Sequence, residues 1–312
     1  MRADATSEIG AGHVMRLTSI AEELIMRGAT VIFVGQFAEL PWLSERIHGL
    51  GFSKIHVNPI EFSSNPNTDV LILDSYTLPI DNEFIHPNNW RKVVTISDES
   101  TPMYAADLVI SPGISENWAP KQGVKILAGP KYIPLRKSIT QLKSFPKDER
   151  CVEILVVGGG TDPFHFVEAV ANKLISVQAP FHATLFSNNL SSLKLDSRFT
   201  CVSIGPKLDT YANLAEVIFT TASTTSFEFI AREIAVGVGC AVENQNQYYE
   251  SLSQAGIAAP IGKTRQGNWE LEDHVISELI CSREFREKLV KTSRGVVDFY
   301  GAIRIVEEIQ KL

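Results

Sequence analysis

Residues 4–16 read Asp4-Ala5-Thr6-Ser7-Glu8-Ile9-Gly10-Ala11-Gly12-His13-Val14-Met15-Arg16, a glycine-bearing loop that runs through a histidine into a helix. Glycine lets a backbone turn tightly and approach a ligand closely. Val14, Leu17, Ile20, Ala21, Leu24 and Ile25 recur at three- and four-residue steps and form one apolar face. Gly28 supplies the stop. His13 therefore stands where loop becomes helix, beside first-turn N–H groups that have no partner inside the helix. Such a terminus suits an anion or a polar substrate, and an imidazole there can exchange a proton near neutral pH. A histidine that merely caps the helix and touches water fits the same spacing.

The elements downstream set the fold class. Residues 29–35 form an apolar strand, 40–50 a helix ended by Gly51, and 68–74 a strand with the continuous core Val70-Leu71-Ile72-Leu73; further strands follow at 92–97 and 108–110. Strands alternating with helical stretches predict an α/β fold with a parallel sheet covered on both faces. Only Met1 to Ala3 precede the first loop, so the opening strand is expected to be very short, or the sequence to begin late at an internal methionine. Asp74 and Tyr76 stand just past one strand, Asp98 and Glu99 just past the next. Ligands of open α/β sheets bind at the carboxyl ends of the strands, so these residues and His13 are expected to share a crevice. Any one carboxylate alone reads equally well as a helix cap; their repetition favours a site.

From 112 to 150 the pattern breaks up around Pro112, Gly113, Pro120, Gly123, Pro130, Pro134 and Pro146, which reads as a connection between domains spanning 1–140 and 141–312. The second half restarts with an apolar strand at 152–157, the loop Gly158-Gly159-Gly160-Thr161-Asp162-Pro163 and a helix over 164–177. The glycines can cradle phosphate, but the spacing is neither a dinucleotide fingerprint nor a P-loop. Strands follow at 183–187, 199–204 and 217–220. The hydroxyl-rich run Thr221-Ala222-Ser223-Thr224-Thr225-Ser226 then opens a helix carrying Glu228, and the strand at 235–240 leads to Glu243-Asn244-Gln245. Small residues at a helix start admit phosphate, and a carboxylate one turn in can hold ribose hydroxyls; a capped helix with a surface Glu is the plain alternative. Helices at 271–280, 283–291 and 296–309 close the chain.

Composition narrows the classes. A chain of 312 residues, 44% hydrophobic and 21% charged, fits two globular domains. No apolar run reaches the roughly 18 to 20 residues of a membrane span, and no secretory n-region is visible. The net charge of −7 argues against nucleic acid as a partner. Cys151, Cys201, Cys240 and Cys281 are scattered, which fits a reducing cytoplasm and speaks against structural zinc. A cytoplasmic monomer without metal or cofactor is expected.

The motifs together have a family likeness. Two Rossmann-like halves with parallel sheets facing a crevice are the plan of the GT-B fold. Arg2-x-Asp4 and Ile9-Gly10-x-Gly12-His13-Val14-Met15-Arg16 resemble the UDP-sugar hydrolase of pseudaminic acid biosynthesis, the PseG family, which includes spore-coat polysaccharide proteins. Asp74-x-Tyr76, Ser97-Asp98-Glu99, Gly129-Pro130-x-Tyr132-x-x-Leu135-Arg136, Gly159-Gly160-Thr161-Asp162, the run from Ser223 to Glu228 and Asn244-Gln245 are similar to that family's later motifs, in the same order. The resemblance implies release of UDP from a UDP-linked diacetamido-trideoxy sugar, with His13 as general base toward water. It also implies sugar contacts from Asp4, Gly10, Gly12, Arg16, Tyr76, Tyr132 and Arg136. Gly159, Gly160, Thr161, Ser223, Thr224 and Thr225 would meet uracil or diphosphate, Glu228 the ribose, and Asn244 and Gln245 the diphosphate or sugar. Asp74 or Asp98 would orient the imidazole; the sequence does not choose between them. Ser111 and Ala106-Asp107 depart from the family pattern, which leaves the sugar open. A GT-B glycosyltransferase using a UDP-sugar is the alternative, and a non-catalytic UDP-binding partner a third. By the same likeness, the last helix is expected to return to the first domain.

Overall fold

The computed structural model describes residues 1–6, 10–37, 39–56, 62–98, 104–115, 123–140, 151–188, 190, 193–205 and 207–312. Ile9, Glu99, Pro120 and the charged run at 143–150 lie outside them. The chain divides into two compact units, Met1–Lys137 with Asp298–Leu312, and Ser138–Val297.

In the first unit β1 (Ile32–Val34) pairs in parallel with β2 (Lys54–His56), and β3 (Val70–Leu73), β4 (Lys92–Ile96), β5 (Leu108–Ser111) and β6 (Lys125–Ala128) form a parallel run. The first residues of the chain join the two sets. Arg2 bridges Val34 on one side and Leu73 on the other, both in parallel. Its N–H donates to Ile72 O at 2.8 Å and its carbonyl accepts from Asp74 N at 3.0 Å. The short opening stretch is thus an interior strand position, and the sheet runs β2, β1, residues 1–4, β3, β4, β5, β6. Three residues suffice because both neighbours satisfy their backbone groups.

Helix α1 (Gly12–Met26) lays Val14, Leu17, Ile20 and Leu24 onto this sheet. Gly28, at φ +82, ends it in the left-handed region where glycine is favoured. Helix α2 is Pro41–Gly49. Helix α10 (Gly301–Ile309) returns to the same core through Ile305, Val306 and Ile309. It begins later than the expected residue 296; Asp298 instead forms a two-pronged ion pair with Arg304, at 2.8 and 2.7 Å. The Pro- and Gly-rich run, expected as a connection, belongs to the first unit as far as Lys137. It contains β6 and a 3-10 turn, Pro130–Tyr132, entered through Gly129 at φ 98. Proline there starts a turn and does not mark a linker, since a first-turn N–H would be unpaired in any case. Gly301 meets this turn closely: an added Cβ would lie 2.0 Å from Ile133 O. Gly301→Ala is expected to destabilise the first unit by about 1–3 kcal/mol, measured as a lower urea midpoint.

In the second unit the strands β7 (Val152–Val157), β8 (Phe181–Phe186), β9 (Phe199–Val202), β10 (Val217–Thr221), β11 (Ala235–Cys240), β12 (Ala259–Arg265) and β13 (Asn268–Leu271) are ordered β13-β12-β11-β10-β7-β8-β9. All pair in parallel except the β12–β13 hairpin. Small α3 (Lys137–Thr140) precedes this sheet. Around it lie α4 (Phe166–Ile175), α5 (Leu208–Leu214), α6 (Thr224–Ile230), α7 (Asn246–Gln254), α8 (Asp273–Cys281) and α9 (Arg283–Ser293). The hairpin displaces the start of the expected 271–280 helix. Pro260 and Gly262 hide β12 in the sequence. Gly262 takes φ +131 at a place where an added Cβ would lie 2.0 Å from Glu270 O, and the β11–β12 register shifts beside it at Val238/Gly239.

Candidate active site

Each unit has one point at which its strand order reverses. In the first, the chain moves from residues 1–4 outward to β1 and β2, then starts again with β3 on the other side. In the second, β7, β8 and β9 run one way and β10, β11 and β12 the other. Loops at the carboxyl ends of such diverging strands form the usual ligand crevice of open α/β sheets. The two first-unit loops carry His13 and Asp74. The two second-unit loops are 158–165 and 222–223, with Ser223 as N-cap of α6.

The first-unit site is an ionic cluster. His13 and Arg16, three apart on α1, share a helix face. Asp74 follows β3 and is wholly buried. Its Oδ1 lies 2.6 Å from His13 Nδ1 and accepts from Arg16 Nη2 at 2.8 Å, while Oδ2 accepts from Arg16 Nε at 2.8 Å. Arg16 Nη1 donates to Asp98 Oδ1 at 2.5 Å. The Tyr76 hydroxyl donates to the other Asp98 oxygen, and its ring meets the His13 ring edge-on, centroids 4.8 Å apart. Arg16 Nη2 is also 3.2 Å from His13 Nδ1. A guanidinium has only donors, so with Nδ1–H pointed at Asp74 this is a close approach and not a bond. Burial alone would raise the Asp74 carboxyl, but Arg16 and His13 outweigh it and hold Asp74 below the ordinary carboxylate range. Burial pushes the Tyr76 phenol up; Arg16 opposes that and Asp98 adds to it. Tyr76 is therefore a proton donor to Asp98 at neutral pH.

This arrangement fixes a tautomer. An ionised Asp74 accepts from Nδ1–H, which leaves the lone pair on Nε2. His13 is 13% exposed while Asp74 is sealed, so the imidazole is the member of the pair that a ligand can reach. Of the two carboxylates open as orienting partners, Asp74 makes the direct bond; Asp98 is bonded to Arg16 and Tyr76, which both meet His13.

Asp4 is taken up by Arg2, at 2.5 and 2.6 Å, and by the N–H of Gln36 at 2.8 Å. Gly10, at φ +78, shapes the loop and donates its N–H to Thr6 O, and an added Cβ at Gly10 or Gly12 would meet nothing within 4 Å. Tyr132 packs against the first-unit core and Arg136 is buried. In the second unit Gly159, at φ +96, turns the loop after β7, with Gly160 and Thr161 half-buried beyond it. Thr224 and Thr225 begin α6, and Glu228 is buried in that helix. Asn244 is exposed in the turn after β11, where Gln245 Oε1 accepts from Ala241 N at 2.9 Å. The sequence reading did not single out Asp162 for a role of its own. Its carboxylate caps α4, accepting from Phe166 N at 2.9 Å and Val167 N at 3.1 Å. Among the described residues no group of three His, Cys, Asp or Glu side chains could hold a metal ion, and no helix is long and apolar enough to cross a membrane.

No family model matches the chain. It is 26% identical over 302 residues to an uncharacterised protein of Methanocaldococcus jannaschii, covering 87% of this chain and 61% of that protein. The chain thus spans less than two thirds of this relative's length. Among solved structures it is similar to MurG of Acinetobacter baumannii, with 13% identity, TM-score 0.65, and 100% and 99% of the two chains covered. The spinosyn forosaminyltransferase SpnP gives 13% identity and TM-score 0.65, with 99% and 98% covered. A putative UDP-N-acetylglucosamine 2-epimerase of Listeria monocytogenes gives 12% and 0.60, with 99% and 95% covered. At these identities the likeness speaks to fold, and the fold is GT-B, with an α/β unit of Rossmann type in each half.

Proposed function

We propose that the chain is a GT-B enzyme that moves the sugar of a UDP-sugar to a nucleophile whose proton His13 takes. The observation that carries this is the His13–Asp74 pair at the first unit's strand-order reversal, 2.6 Å apart and with Asp74 wholly buried. A hydroxyl is a poor nucleophile at neutral pH, and a positioned base adds about 10²- to 10⁴-fold. Nε2 accepts the proton as the nucleophile's oxygen bonds to the anomeric carbon. The bond from that carbon to the diphosphate breaks, and UDP leaves with the electron pair. Asp74 stabilises the imidazolium so formed. Backbone N–H groups at the start of α6 suit the diphosphate of the nucleotide.

An acceptor hydroxyl is the first reading, supported by the glycosyltransferases among the fold's neighbours. Water is the second, supported by the residue-level likeness of the His13 loop and the Gly159–Asp162 motif to the UDP-sugar hydrolase of the pseudaminic acid pathway. The test is UDP release from a panel of UDP-sugars, diacetamido sugars included, with and without free monosaccharides and aryl glycosides as acceptors. Release is expected to depend on an acceptor. Full release into water alone transfers the reading to the hydrolase, and UDP binding without any turnover would leave a non-catalytic role.

A further inference from the structure

The loop after β7 carries features that a phosphate cradle does not need. Asp162 and His165 both sit at positive φ, 50 and 51, on either side of Phe164. Non-glycine residues in that region are uncommon and persist only where surrounding contacts impose them. Two contacts do so here. The Asp162 carboxylate takes the first N–H groups of α4, and Gly158 makes room for it, since an added Cβ there would lie 1.9 Å from Asp162 Oδ1. Beyond it, Trp269 Nε1 donates to the Phe164 carbonyl at 2.7 Å. Trp269 lies on β13 and stacks edge-on against Phe166, centroids 5.0 Å apart. Both rings lie over Gly239 of β11, where a Cβ would come within 2.7 Å of Phe166 and 2.9 Å of Trp269. The loop is therefore drawn across the strand ends toward β11, on the side of β7 where β10 and β11 deliver Ser223 and Asn244.

What the loop presents follows from this. The N-terminus of α4 already holds an anion. Burial pushes Asp162 up to about 6 against the opposing pull of its two N–H bonds, so it is still a carboxylate at pH 7. A diphosphate at this helix end would meet negative charge and donors already in use. Phe164, by contrast, is 40% exposed. Among the described residues of the second unit, the other well-exposed large apolar side chain, Leu214, ends the helix that precedes β10, at the amino edge of the sheet. An exposed aromatic ring on a fixed stretch of backbone at the strand-order reversal, with phosphate kept off its helix, fits the flat neutral part of a nucleotide.

We infer that Phe164 is the stacking platform for the nucleobase of the nucleotide substrate. The inference rests on the nucleotide-sugar reading and assigns it a specificity-determining residue. Stacking on an aromatic side chain is tolerant of base identity and is worth about 1–3 kcal/mol per base by alanine substitution. The test is calorimetry of the whole chain with UDP, TDP, CMP and inorganic pyrophosphate. Phe164→Ala is expected to weaken UDP binding by about 5- to 150-fold and leave pyrophosphate affinity unchanged, while Phe164→Trp stays near the parent. The main-chain bond to Trp269 survives either substitution, and a matching circular dichroism spectrum checks the fold. UDP affinity unchanged in Phe164→Ala overturns the inference, as does an equal loss for UDP and pyrophosphate, which would mean a change of loop shape. A parent chain that binds none of the nucleotides overturns the nucleotide reading itself, a distinct outcome.

Discussion

His13→Asn is expected to cut turnover by about 10²-fold or more while leaving UDP affinity close to the parent's. Asparagine keeps a polar group within reach of Asp74 but has no nitrogen that can accept a proton at neutral pH. The loss falls on the transition state, because only there is the proton moving. Asp74→Asn should lower turnover through the same bond. Its amide can donate to Nδ1, which stabilises the tautomer protonated at Nε2 and removes the lone pair from the side a ligand reaches. It also removes one counter-charge of Arg16. Steady-state kinetics beside UDP calorimetry separates these effects from a binding defect. Turnover by His13→Asn within a few-fold of the parent would take His13 out of the base role and direct attention to Asp98.

The strand cores and the position of His13 were legible in the sequence because each is a local pattern. Val70-Leu71-Ile72-Leu73 reads as a buried strand, and the 3.6-residue spacing from Val14 starts α1 within two residues of its place. Three features depended on distant partners and were not legible. Arg2 reads as the first member of the Arg2-x-Asp4 motif, yet its backbone lies in an interior strand position between Val34 and Leu73. Pro260 and Gly262 interrupt any strand pattern in the sequence, yet they lie in β12 beside a register shift, where an added Cβ at Gly262 would meet Glu270 O. Arg16 reads as a substrate contact, and only the placement of β3 beside β4 shows it clasping Asp74 and Asp98. The choice between those two carboxylates as partner of His13 was open for the same reason, because strand adjacency is a tertiary fact. Phe164 left almost no trace in sequence. A phenylalanine ahead of an apolar helix reads as core, and its exposure follows from Asp162 and Trp269 fixing the backbone on either side.

Arg16→Met is expected to destabilise the first unit by about 3–5 kcal/mol, the usual cost of removing one partner from a buried ionic cluster. The guanidinium is 3% exposed and serves two carboxylates through three nitrogens. Methionine fills part of the space but leaves Asp74 buried with only His13 beside it. Arg16→Lys should recover a part, since one ammonium cannot match the planar fork that reaches both Asp74 oxygens and Asp98. The sign of the pH dependence follows from Asp74. In the parent its folded value lies below the unfolded one, so its contribution is complete above the ordinary carboxylate range and is lost as pH falls through the lower folded value. In Arg16→Met the burial that Arg16 had outweighed prevails and the folded value rises. The variant then gains relative stability as Asp74 is protonated. The gap between parent and variant should therefore be widest near pH 7 and narrow on acidification toward pH 4, as read by urea unfolding followed through hydrogen exchange of α1 and β3 amides. A gap that is constant with pH would mean that Arg16 stabilises by packing its stem, and that the charge on Asp74, which holds the imidazole's tautomer, is maintained by something other than Arg16.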